Sequence, residues 1–109
     1  MEHQVRGINK HKSESVNDWL LRMCSEGNMP EHHYEADREW INKMMGYLQF
    51  DPIDDNKNER GKVCRAYSKA FHDAVSLEPV THKKTNAGRF EANTRLRKFI
   101  EKRFRVFNQ

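Results

Sequence analysis

Residues 86–107 read NAGRFEANTRLRKFIEKRFRVF. Within them Ala92, Leu96, Phe99, Ile100, Phe104 and Phe107 recur at spacings of three and four, which places them on one face of a helix. Arg95, Lys98, Lys102 and Arg105 recur on the same period on the other side. The stretch therefore predicts an amphipathic helix of about six turns with a basic outer face. A short apolar run bounded by turn residues would have suggested a strand, but the alternation of period two that a half-buried strand needs is missing here.

Working back along the chain, the same helical period returns three times. A third helix over 57–77 presents Val63, Tyr67, Ala70, Phe71, Ala74 and Val75 inward, with Asp54 or Asp55 as its cap and Glu78-Pro79 as its stop. Gly61 weakens its first turns by about 1 kcal/mol relative to Ala. A second helix over 30–50 carries Tyr34, Trp40, Ile41, Met44, Met45 and Leu48; it ends at Asp51-Pro52 and is broad enough to be the central helix, packed on both sides. A first helix over 13–26 opens on a Ser15–Asp18 cap and shows Val16, Trp19, Leu20, Met23 and Cys24 on one stripe,. Gly27 supplies the positive φ that often closes a helix. Residues 1–12 are polar and aperiodic, as a flexible arm would be.

The expected fold is thus all-α, a small single-domain bundle of about four helices, with 1–12 as the arm and 13–109 as the domain. A chain of 109 residues suits one domain. The hydrophobic fraction is 36% and charged residues make up 33%, so the core must be lean. Two Trp, three Tyr and six Phe supply the large buried areas that disordered sequences lack. A lean core also predicts that part of an apolar face is completed by a second copy or by a partner protein, so a homo-oligomer is among the expected states.

Charge is uneven. The overall net charge is +4. From residue 83 onward there are nine basic residues, Lys83, Lys84, Arg89, Arg95, Arg97, Lys98, Lys102, Arg103 and Arg105, against Glu91 and Glu101. That surplus of seven leaves the first 82 residues at −3. A basic end on a mildly acidic body points to an anionic partner, or to a contact between the two halves. The nine cations are the candidate binding residues, with Asn86, Asn93 and Thr94 as possible hydrogen-bonding additions.

The catalytic and metal patterns are weak. His32-His33 with Glu35 and Asp37 is the densest group of metal-capable side chains, but adjacent helical residues diverge by about 100 degrees and no third ligand is spaced to join them. His72-Asp73 fails as an oriented acid/base pair for the same reason. No nucleotide-binding or serine-hydrolase motif occurs. We expect no enzyme activity, no cofactor and no metal. Cys24 and Cys64 have no CxxC context and read as small thiols of a reduced, cytoplasmic protein without a membrane span. The first functional expectation is a nucleic-acid-binding accessory or regulatory protein acting through the basic C-terminal helix. The second is a protein-interaction module, an adaptor or inhibitor of the kind carried by phages and mobile elements.

Overall fold

A computed structural model describes residues 8–105. The described residues form four α-helices, α1 (Val16–Ser25), α2 (Arg38–Met45), α3 (Glu59–Leu77) and α4 (Lys84–Phe104), with 3-10 turns at Glu35–Asp37 and Thr81–Lys83. There is no strand among them. The all-α reading with four helices holds.

Each helix begins for a local reason. Ser15 accepts from the Asp18 backbone N–H at 3.0 Å and caps α1, as the sequence predicts. Gly27, with φ +79, turns the chain after α1. At α3 the cap is Asn58, whose side chain accepts from the Gly61 N–H at 3.2 Å, and not Asp54 or Asp55. The glycine is part of this cap: a Cβ on residue 61 would lie 2.5 Å from the Asn58 amide nitrogen. Instead of weakening the first turn, Gly61 makes room for it.

The second helix is much shorter than 30–50. Residues 30–34 spend their polar groups elsewhere: the Pro30 carbonyl meets His33 Nδ1 at 2.8 Å and the His32 N–H donates to Ser68 Oγ on α3 at 3.1 Å. Side-chain partners of this kind compete with helical hydrogen bonding. At the other end the helix closes at Gly46, not at Asp51-Pro52. The Arg60 N–H then draws the Gln49 carbonyl onto α3 at 2.9 Å, and Asp51 Oδ1 folds the following loop by accepting from Ile53 and Asp54.

α3 and α4 pair as a long antiparallel hairpin, and α2 packs on both of them and on α1. The core is Leu20, Met23, Met29, Ile41, Met44, Met45, Leu48, Cys64, Tyr67, Ala70, Ala92, Leu96 and Ile100. Four of these come from α2 and the residues just after it, so its expected central position is realised. α3 and α4 approach closely at Gly88, where an added Cβ would sit 3.0 Å from the Phe71 ring. Trp19 and Trp40 are half-buried against the core instead of enclosed by it.

Residues 10–12 of the expected arm are exposed, while Ile8 and Asn9 reach back to α1. The Ile8 carbonyl accepts from the Trp19 indole at 3.2 Å, and the Asn9 carbonyl from Arg22 at 2.9 Å. Ile8 itself packs against the core. Polarity and lack of period hide this attachment, because it is made by backbone carbonyls. The rest of the expected arm, 1–7, and the expected inward residue Phe107 lie outside the described residues.

Candidate interaction surface

The nine candidate cations separate into two sets. Four are committed to the protein's own structure. Arg89 grips Asp37 with Nε and a terminal nitrogen, both at 2.8 Å, and lies 4.2 Å over the Tyr34 ring. Lys84 donates to the Val75 and Glu78 carbonyls at the end of α3, where a helix terminus is short of backbone donors. Arg103 pairs with Glu59 across the hairpin, and Arg95 pairs with Glu91 one turn away. The last is a surface pair of the kind that contributes little.

The others are all exposed: Arg105 ends α4 with its N–H on the Glu101 carbonyl at 2.7 Å, and Lys83, Arg97, Lys98 and Lys102 carry no ion pair among the described residues. Arg95, Lys98, Lys102 and Arg105 do share the outer face of α4, as their spacing predicts, and the last three surround a shallow recess with Glu101. Lys98 and Lys102 have no carboxylate partner among the described residues. Asn93 is not available as a contact residue: it donates to Asp37 at 3.0 Å and accepts from the Tyr67 hydroxyl. Burial pushes the Tyr67 hydroxyl pKa well above its ordinary value, so it stays a donor in this chain of contacts.

Beside the cations lies a surface that the helical period does not reveal. Between α3 and α4 runs an apolar groove of about 330 Å³, lined by Val63, Ala66, Tyr67, Ala70, Ala92, Arg95, Leu96 and Phe99. No residue of α1, α2 or either 3-10 turn contributes to it. Phe99, expected inward, is 40% exposed and forms part of its wall. The available signal was the pair Ala66 and Ala70, small residues one turn apart beside Val63, which widen the apolar face of α3 beyond what α2 covers.

The histidine and cysteine clusters have structural occupations. Arg38 Nε donates to His33 Nε2 at 2.9 Å, so the ring carries its proton on Nδ1 and donates it to the Pro30 carbonyl,. Burial is the largest cause holding the His33 pKa below its ordinary value. Asp73 pairs with Lys69 at 2.8 Å, and His72 lies beside the His32 ring, centroids 5.5 Å apart. No group of three metal-capable side chains occurs among the described residues. Cys24 and Cys64 are free thiols lining one groove, and burial pushes the Cys64 pKa to about 12, far from a reactive thiolate. No helix of the described residues is long and apolar enough to cross a membrane.

Comparison with known proteins gives no match to a family model, to a curated protein or to a solved structure.

Proposed function

We propose that this chain is a non-enzymatic protein-interaction module whose working surface is the open face of the α3–α4 hairpin, and that its ligand is a helix of a larger partner protein. The groove between Val63 and Phe99 carries this reading. A cleft between two antiparallel helices, apolar along its floor and polar at its edges, has the shape and chemistry that take the apolar stripe of a third helix. The floor from Val63 to Ala70 is eight residues of α3, a rise of roughly 10 Å or two turns.

Support also comes from what the polar residues are doing. His33 is held between Pro30 and Arg38, and Asp37, Asn93 and Tyr67 are joined to one another, which suits a structural framework better than a reaction site. Nucleic-acid contact through α4 is the second reading, favoured by the exposed Arg97, Lys98 and Lys102. It has fewer cations to work with than the count of nine implied, because Lys84, Arg89 and Arg103 hold the fold together.

The test is a photo-crosslinking amino acid placed at residue 99, with the same group at exposed Leu21 on α1 as control. The expected product is one discrete protein adduct from position 99 alone, mapping to a single helical segment and lost in Ala66→Arg. Equal adducts from both positions, or adducts to nucleic acid, would overturn the reading.

A further inference from the structure

We infer that the helix received by the α3–α4 groove is acidic along its edges. This rests on the helix-docking function proposed above and adds the chemistry of the ligand. Cations of both helices stand one turn from the groove lining. On α4, Lys98 stands one turn beyond Arg95 and Lys102 one turn beyond Phe99. On α3, Lys62 stands one turn before Ala66. Residues three or four apart share a helix edge, so the three lysines, all exposed, continue the edges set by Ala66, Arg95 and Phe99; none is in the groove lining itself, and Lys98 and Lys102 line a neighbouring recess with Glu101.

The rim is not balanced. Three nearby carboxylates are already paired, Glu91 with Arg95, Asp73 with Lys69 and Glu59 with Arg103, and Glu101 is the one carboxylate in the recess of Lys98 and Lys102. Lys62, by contrast, donates only to the Asn56 carbonyl at 3.0 Å, and neither it nor Lys98 nor Lys102 has a carboxylate partner among the described residues. Three lysines against the single carboxylate of Glu101 leave the surroundings of the apolar floor positive on both helices. A ligand helix with apolar residues at i, i+3, i+4 and i+7 and Glu or Asp on either flank meets both requirements at once.

The same charge argues against a second copy as the occupant. Two such faces brought together would set Lys62, Lys98 and Lys102 against the equivalent cations of the other chain, which like-charge repulsion in a partly desolvated interface disfavours. Single-stranded nucleic acid would satisfy the cations, but it would leave Val63, Ala66 and Ala70 facing a charged backbone, with Phe99 as the exposed aromatic of the groove on which a base could stack, Tyr67 being buried,.

The probes are three designed peptides of about 18 residues, long enough for roughly five turns, sharing one Leu stripe. One is flanked by Glu, one by Lys, and one is the Glu version interrupted by Pro. Binding to the full-length chain is read by fluorescence anisotropy. The acidic helix should bind at least about tenfold tighter than the basic one, with the gap shrinking as salt rises, and the Pro version should not bind. Lys62→Glu/Lys98→Glu/Lys102→Glu should invert the preference. Ala66→Arg, at an exposed floor position, should abolish binding of both charged peptides, and Phe99→Ala should weaken both.

Equal binding of acidic and basic peptides, both lost in Ala66→Arg, would overturn the acidic inference and leave helix docking intact. Binding that ignores Ala66→Arg and Phe99→Ala would overturn the docking reading itself. Absence of binding by the acidic peptide, or tighter binding of a single-stranded oligonucleotide dependent on the same three lysines, would overturn the inference.

Discussion

The carboxylate of Asp37 accepts from Arg89 Nε and from one of its terminal nitrogens, each at 2.8 Å, joining positions 52 residues apart. The contact ties the turn before α2 to α4, and Asn93 and Tyr67 extend it to α3. Removing the carboxylate leaves Arg89 and Asn93 without their acceptor in a half-buried place. Asp37→Ala is expected to cost about 1–2 kcal/mol and to lower the urea midpoint without changing the slope. An unchanged midpoint would show that the pair is ornamental to the fold.

This pair also explains why the site was only partly legible in the sequence. Periodicity shows that Arg89 belongs to α4, but it cannot show that an aspartate in an irregular segment lies opposite. The same limit hides Arg60. It is buried, with Nε donating to the Asn28 carbonyl and a terminal nitrogen to Asn42, both at 2.8 Å. An arginine in a helix reads as solvated unless its distant partners are known. The helix stripes themselves were legible because Leu20, Met23, Ile41, Met44, Leu96 and Ile100 follow the 3.6 period,. The second helix was overextended because its flanks use side-chain and tertiary hydrogen bonds that pattern alone does not encode.

Acid should destabilise the protein in two windows. His33 titrates below its ordinary value, chiefly because of burial. The unfolded chain therefore takes up this proton first, and the contribution is whole above about pH 6.5 and lost as pH falls through the folded pKa. Asp37 is held low by the Arg89 hydrogen bonds first of all; its contribution is whole above about pH 4 and lost on further acidification. His33→Asn keeps a donor toward the Pro30 carbonyl and should abolish the upper window alone. A stability profile that still falls below pH 6.5 in that variant would place the titrating group elsewhere.

Gly61 should reverse the usual order of helix propensity. Ala is ordinarily better than Gly in a helix by about 1 kcal/mol, yet here its Cβ would displace the Asn58 cap, and losing such a cap costs about as much or more. Gly61→Ala is expected to lower the melting temperature in the natural sequence. In an Asn58→Ala background, where no cap remains to be displaced, it should raise it. The same sign in both backgrounds would rule out the steric coupling.

Deleting residues 1–12 tests the attachment of Ile8 and Asn9 to α1. In a Trp40→Phe background, Trp19 is the sole indole. Loss of the Ile8 carbonyl that its Nε1 reaches, and of the Ile8 side chain beside the core, should shift its emission to the red and increase quenching by acrylamide. Stability should fall by about 1–2 kcal/mol. Unchanged emission would mean that this segment does not cover Trp19 in solution.

The last prediction separates cations that hold the fold from those free to meet a partner. Lys84 reaches the Val75 and Glu78 carbonyls at the end of α3, where backbone donors run short and the Glu78 N–H is shared between the Ala74 and Val75 carbonyls. Lys84→Ala should therefore cost about 1 kcal/mol and loosen the α3–α4 connection, seen as faster amide exchange over residues 74–78. Lys98 and Lys102 are exposed with no ion pair among the described residues, so their reversal to Glu should change stability by less than about 0.5 kcal/mol. On charge count alone all three lysines are equivalent, and every substitution should relieve repulsion within the basic end, by one charge for Lys84→Ala and by two for each reversal. On contact geometry they are not, and only Lys84→Ala should register in the melt. Equal melting shifts for Lys84→Ala and the two reversals would show that the basic segment acts as a diffuse charge, and would remove the division on which the rim lysines are assigned to a partner.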